Sequence, residues 1–181
     1  MEDRAITNVQ PPPSMKGRIA RALFAAIWLL TCRVTPAPLH GWRRSILKLF
    51  GAKIGPGAHV YPSVRIWAPW NLQMEAGSCL APGVECYNVD IVSLGVESIV
   101  SQRAHLCTAS HDFDDASFPL ITAPIRLEER SWVCAEAFVG PGVTLNRGAI
   151  VGARAVVTKN VPAETIVVGN PARPIERKRT V

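Results

Sequence analysis

Between Asp3 and Glu75 the chain contains no acidic residue, yet the same stretch carries Arg4, Lys16, Arg18, Arg21, Arg33, Arg43, Arg44, Lys48, Lys53 and Arg65. From Glu75 onward acids and bases nearly balance, so the formal net charge of +6 belongs to the front end. A charge segregated in this way needs a local explanation. No nucleic-acid-binding module and no basic strand interleaved with aromatics accompanies it, so nucleic acid is not the expected partner.

Paired cysteines are also missing. Cys32, Cys79, Cys86, Cys107 and Cys134 form no CxxC pair and no His/Cys ligand spacing, and their odd number argues against a disulfide framework. They read as reduced, mostly buried thiols of a cytoplasmic protein. The one long apolar run, Ile19 to Leu30, carries Arg21 and is too short to span a bilayer. The residues after it, Thr31-Cys32-Arg33-Val34, lack the small-residue site at which a signal peptide is cut, so secretion is not expected.

What is present suffices for one ordinary domain of 181 residues. Residues 1–15 are polar, end in Pro11-Pro12-Pro13 and are expected to be unstructured. Residues 16–50 read as a basic, amphipathic helical segment. Ile19, Leu23, Ile27 and Leu30 recur at helical spacing until Pro36 and Pro38 stop them. A second helix is expected from Trp42 to Phe50, with Trp42, Ile46, Leu49 and Phe50 on one face and Gly51 as its stop.

From residue 51 the period changes to six. Ile54, Val60, Ile66 and Leu72 are followed, after a shift, by Met74, Leu80 and Cys86, and then by Leu94, Val100 and Leu106. Leu127, Val133, Val139, Leu145, Val151 and Val157 continue without a slip. Neither a 3.6-residue helix nor a simple alternating strand produces this spacing. Each hexad is one short strand and one turn with its aliphatic residue pointing inward. Three hexads close a triangular coil, and stacked coils bury one another's apolar layers, which predicts an all-β solenoid over residues 51–168. A conventional sandwich would space its strands 8 to 12 residues apart. Phe138 and Ile150 fit either an exposed wall or the interior.

The count breaks off altogether at LCTASHDFDDASFPLITAPIRL, where an excursion over residues 112–124 leaves the solenoid directly after His111. A solenoid has smooth walls, so a projecting insertion is where a site is expected. His105 lies one hexad earlier and reads as a turn or surface residue.

These stretches, with SWVCAEAFVGPGVTL, VGARAVVTKNVP and VVGNPARPI, resemble the hexapeptide-repeat O-acetyltransferases. Residues 16 to 175 as a whole, including PLHGWRRSILKLFGAKIGPG and VRIWAPWNL, resemble the acetyltransferases assigned to colanic acid biosynthesis. The resemblance implies a left-handed parallel β-helix, an exception to the right-handed crossover rule. It also implies acetyl-CoA as co-substrate without a metal, a saccharide acceptor and a homotrimer with the donor groove between neighbours. His111 matches the family's general base in T-x-x-H, a task for which histidine is suited by a pKa near neutrality. Asn88 and Asp112 are the implied acceptor contacts. Trp132 matches the tryptophan near the thioester, and Ala135 and Ala153 match positions whose backbone meets the pantetheine arm. Thr158, Lys159 and Arg173 match positions near the nucleotide end, where cations answer phosphate charge. Residues 169–181 form the C-terminal motif and a basic tail.

The cationic segment at 16–50 is the feature acetyl transfer explains least. Peripheral contact with the anionic inner face of a membrane is one expectation, with Ile19, Leu23, Ile27, Trp28 and Leu30 meeting lipid. Capping of the solenoid's open end is the other. Two further readings of the whole chain are a non-catalytic β-helix scaffold and a zinc enzyme like the gamma-class carbonic anhydrases. The second has too few histidines at the required spacing. Turns at Glu75-Ala76-Gly77 and Glu128-Glu129-Arg130 depart from the commoner Gly-containing pattern.

Overall fold

The computed structural model describes residues 8–9 and 14–176. From Lys53 the chain winds into a left-handed parallel β-solenoid of about six turns. Its strands are only two or three residues long, because each hexad leaves four residues to turn a corner. The first wall stacks Ile54, Met74, Leu94, Leu127 and Leu145. The second stacks Val60, Leu80, Val100, Val133, Val151 and Val167. The third stacks Ile66, Cys86, Leu106, Val139 and Val157. All but Ile66 are buried and form the core. Each fully buried aliphatic side chain contributes roughly 1.5–3 kcal/mol relative to an exposed one. Residues one place earlier face outward, which puts Phe138 and Ile150 on the outer walls, half-buried.

The slips in the hexad count are two-residue expansions at the corner between the third and first walls. Ile66 to Met74 and Cys86 to Leu94 are eight apart, and Leu72 is an additional buried residue instead of the next stacking position. Pro69–Asn71 form a 3₁₀ turn there. Asn71 Nδ2 donates to the carbonyls of Asn88 (3.3 Å) and Val89 (2.7 Å) in the expanded corner of the next coil.

Elsewhere the corners need a left-handed residue. Gly57 (φ 68°) and Gly77 (φ 68°) supply it in the first coils, but the equivalent places later hold Glu97 (φ 55°) and Arg130 (φ 54°). The unusual Glu128-Glu129-Arg130 turn therefore has the same backbone as the glycine turns. Its side chain answers the coil below, with Arg130 Nε 3.0 Å from Glu97 Oε2. At the corner between the second and third walls, Arg103, Glu136 and Arg154 all take positive φ and form a charge ladder, Glu136 pairing with both arginines.

The front end caps the solenoid. Helix α1 (Met15–Ile27) begins at Ser14, whose Oγ accepts from Gly17 N, and continues into a wider π-helical turn over Trp28–Cys32. Its packed face is Phe24, Trp28 and Cys32, with Trp28 Nε1 donating to the Val64 carbonyl in the first coil (3.2 Å). Of the residues expected to meet lipid, Ile19, Leu23 and Leu30 are exposed and Ile27 is half-buried. Trp28, expected to meet lipid, is buried, because its indole N–H finds a partner only against the coil.

Helix α2 (His40–Leu49) is rotated from the expected face. It buries Arg43 and Leu47, with Ile46 and Phe50 packed beside them, and leaves Leu49 exposed. Arg43 is inward because its guanidinium serves carbonyls: Nε donates to Val60 O (2.6 Å), Nη1 to Thr35 Oγ1 (2.7 Å) and Pro36 O (3.1 Å), and Nη2 to Ala37 O. Burial holds the nearby His40 imidazole below its ordinary pKa.

Within residues 1–15, expected to be unstructured, Asn8–Val9 forms a short strand, and Met15 already belongs to α1 because Ser14 caps it; residues 1–7 and 10–13 lie outside the described residues. So does the end of the basic tail, residues 177–181. Among the described residues no helix is long and apolar enough to cross a membrane.

Candidate active site

The excursion is a β-hairpin. Ala109–His111 runs antiparallel to Leu120–Thr122, pairing His111 with Leu120, and Asn8–Val9 adds a third strand on the outer edge, pairing Val9 with Ile121. The solenoid ladder continues beneath it without interruption, since Leu94 pairs with Leu127 and Val100 with Val133. Thr108 fastens the base. It is fully buried, its Oγ1 donates to Tyr87 O (3.0 Å) and accepts from Asp90 N (2.9 Å), and its carbonyl accepts from Ala123 N. Thr122 Oγ1 reaches the Asp90 carboxylate from the other strand (3.2 Å). The threonine of T-x-x-H is thus an anchor for the hairpin.

His111 stands exposed near the tip, with Nδ1 2.6 Å from the Phe118 carbonyl oxygen. A carbonyl can only accept, so Nδ1 carries a proton, and in the neutral ring Nε2 is then the nitrogen with the lone pair. Phe118 has φ 45°, and this left-handed backbone belongs to the turn that brings its carbonyl to the ring. No side chain identity in the sequence announces this partner, because the contact is made by backbone. Asp112 does not orient the imidazole: its Oδ1 accepts from Asp114 N (3.1 Å) and its N–H bonds Pro119 O, so it shapes the tip.

Asn88 serves a different purpose from the acceptor contact that the resemblance implied. It is fully buried, its Oδ1 accepts from Trp67 N (3.1 Å) and Ala68 N (3.0 Å), and its Nδ2 donates to Ala68 O (2.6 Å). It holds the expanded corner closed and presents nothing to a ligand.

The residues implied for the donor fall in two groups. Trp132 stands 42% exposed on the second wall beside Ile99 and Ile150, its Nε1 donating to Ser101 Oγ (2.8 Å). Ala135 and Ala153 occupy successive turns of the adjacent corner, where Ala135 O accepts from Arg154 N. Among the described residues the N–H groups of Ala135 and Ala153 make no hydrogen bond; Ala153 is exposed and Ala135 half-buried. Thr158, Lys159 and Arg173 do come together. With Asn160, Pro162 and Ala172 they line a cavity of about 380 Å³ at the C-terminal end of the solenoid. Asn160, which the motifs did not single out, braces that end by accepting from Thr144 N (2.8 Å). Arg173 reaches the cavity because the chain reverses after Val168 and pairs Arg173 antiparallel with it.

Burial disfavours the thiolate form of all five cysteines, Cys32 included. It pushes the Cys86 thiol up to about 12 and raises Cys79, Cys107 and Cys134 as well, so thiolate is scarce near neutrality. Among the described residues no three His, Cys, Asp or Glu side chains are grouped so as to hold a metal ion. His105 sits half-buried on the third wall with its ring edge-on to Phe138 (centroids 5.4 Å apart), in a different coil from His59, which packs against His40 of the cap.

No family model matches the chain. Over 138 residues it is 40% identical to the Escherichia coli protein named "Putative colanic acid biosynthesis acetyltransferase", an overlap covering 76% of each chain. The fold superimposes on the hexapeptide-repeat acetyltransferase of Vibrio cholerae with a TM-score of 0.82 and 21% identity, covering 91% of this chain and 93% of that one. A galactoside acetyltransferase crystallised with coenzyme A gives a TM-score of 0.81 at 20% identity, over 93% of this chain and 84% of the other. With stacked hexads, a histidine-bearing hairpin and a relative of this identity and coverage, the chain belongs to the hexapeptide-repeat acetyltransferases.

Proposed function

We propose that the protein transfers an acetyl group from acetyl-CoA to a hydroxyl of a saccharide, with His111 as general base. The observation that carries this reading is the 2.6 Å contact between His111 Nδ1 and the Phe118 carbonyl, which commits Nε2 to accepting a proton. His111 Nε2 takes the proton of the acceptor hydroxyl as its oxygen bonds to the acetyl carbonyl carbon, then returns it to the sulfur as the C–S bond breaks. A base positioned in this way is worth about 10² to 10⁴ in rate, and alignment of the two substrates supplies much of the rest.

The donor side fits the implied co-substrate in three respects. Ala135 and Ala153 offer unbonded backbone N–H groups at a corner where their own side chains are small, as a pantetheine amide requires. Trp132 gives an apolar surface beside them. Lys159 and Arg173 bring positive charge to the cavity where phosphates would lie. A saccharide acceptor is supported by the relative assigned to colanic acid biosynthesis and by the fold shared with galactoside acetyltransferase.

Within one chain the hairpin leaves from the corner between the third and first walls, whereas Ala135 and Ala153 lie at the corner between the second and third. The third wall lies between them, which favours a site assembled from the groove of one copy and the histidine of another. This supports the homotrimer. The test is acceptor-dependent release of thiol from acetyl-CoA over a panel of saccharides, with His111→Ala and His111→Gln alongside. Both variants should lose about 10²-fold or more in kcat. Release within threefold of the parent in either variant would remove His111 from the reaction.

A further inference from the structure

We propose that the outward face of α1 and its continuation is a docking surface for anionic lipid. At 3.6 residues per turn, Met15, Ile19, Ala22, Leu23 and Ala26 fall within an arc of about 100°, directly opposite the packed face of Phe24 and Trp28. All five are exposed, including Met15 at 68%, Ile19 at 61% and Leu23 at 54%. The stripe continues into Leu30 and Val34 and ends at Trp42, whose Nε1 donates to the Thr31 carbonyl (2.9 Å) and so keeps the indole beside it. The helix thus has two apolar faces: one meets the first coil, and nothing among the described residues covers the other.

Charge selects the occupant. Lys16 and Arg18 flank the stripe on its two sides and Arg33 stands at its end, all exposed. Among the described residues none of the three makes an ion pair. Arg21, the remaining cation of the helix, is turned inward and stacks on Trp67, 4.2 Å from the ring centroid. No acid from Asp3 to Glu75 dilutes this field. Apolar side chains that enter the headgroup boundary, bordered by cations that meet lipid phosphates and closed by a tryptophan, are the composition of a helix lying in an interface. A second copy of the chain would bring no surplus of negative charge to the same cations from its own front end. The inference is independent of the acetyl-transfer reading.

Flotation of the full-length protein with vesicles tests it, comparing phosphatidylcholine alone with phosphatidylcholine containing phosphatidylglycerol. The parent should float with the anionic vesicles at low salt and much less at high salt. The double variant Ile19→Asp/Leu23→Asp should lose at least about tenfold in affinity, and Lys16→Ala/Arg18→Ala about thirtyfold. All four side chains are exposed, so both variants should keep the parent's melting temperature and its activity on a soluble acceptor. A parent that stays in the dense fraction, or an Ile19→Asp/Leu23→Asp variant that floats as well as the parent, overturns the proposal. A change in oligomeric state caused by that variant, without flotation of the parent, would assign the face to another copy.

Discussion

Replacing Arg43 by Met keeps the apolar stem and removes the guanidinium that ties α2 to the first coil. The guanidinium serves four acceptors, but they do not lose equally. Pro36 O still accepts from Leu39 N, and Thr35 Oγ1 still donates to Cys32 O. Val60 O keeps His40 Nδ1 at 3.0 Å when that nitrogen carries the proton. Ala37 O loses its partner in an exposed residue where water can replace it. The loss is therefore one or two charge-assisted bonds' worth, about 3 kcal/mol, and not four times that. For a chain of this size that is a fall of roughly 6–12 °C in Tm. Urea unfolding at fixed protein concentration, followed by tryptophan fluorescence, reads the cap directly because Trp28 is buried against Val64. Arg43→Lys should recover less than half, since a compact ammonium cannot span the acceptors that a planar fork reaches. A Met variant within about 0.5 kcal/mol of the parent would refute the claim that Arg43 holds the cap.

Glu136 is held below the ordinary carboxylate range by its bonds to Arg154 and Arg103. A depressed acid stabilises above its unfolded pKa of about 4.3 and loses that contribution as pH falls through the folded value, so acid unfolding should be less steep in Glu136→Gln. Thr108→Val removes the hydroxyl that binds Tyr87 O and Asp90 N at the hairpin base. It should cost about 1–3 kcal/mol and lower kcat more than it raises KM for acetyl-CoA, measured by unfolding and steady-state kinetics. Arg130→Gly should be more stable than Arg130→Ala by about 1 kcal/mol, because φ 54° favours glycine while both variants lose the pair with Glu97; equal denaturation midpoints would contradict the strain argument.

The hexads were legible because burial repeats with the coil: one aliphatic residue per wall, recurring wherever three walls close. The excursion was legible as their interruption. Its interior was not, since His111 is oriented by the carbonyl of Phe118 and a carbonyl has no letter in a sequence. Asn88 was misread for a related reason. A buried corner and a ligand contact both favour a side-chain amide, and only the expanded coil beside Trp67 and Ala68 distinguishes them. The front end shows the limit of periodicity. Both faces of α1 are apolar, so spacing alone could not say which packs inward, and in α2 the buried polar position went to an arginine that pattern assigns to solvent. Thr158, Lys159 and Arg173 were named from separate motifs; their meeting depends on the chain reversal after Val168.

The hairpin at residues 109–122 is inserted between two coils whose strands pair as though it were absent. Its length is therefore nearly free for the fold, since each doubling of a flexible loop costs only about 0.6 kcal/mol in closure entropy. The solenoid acts as a chassis and the hairpin as an exchangeable cartridge. On the proposed reading, grafting a differently shaped hairpin between Thr108 and Ala123, with His111 kept, would alter which acceptor is accommodated while leaving Trp132, Ala135 and Ala153 untouched.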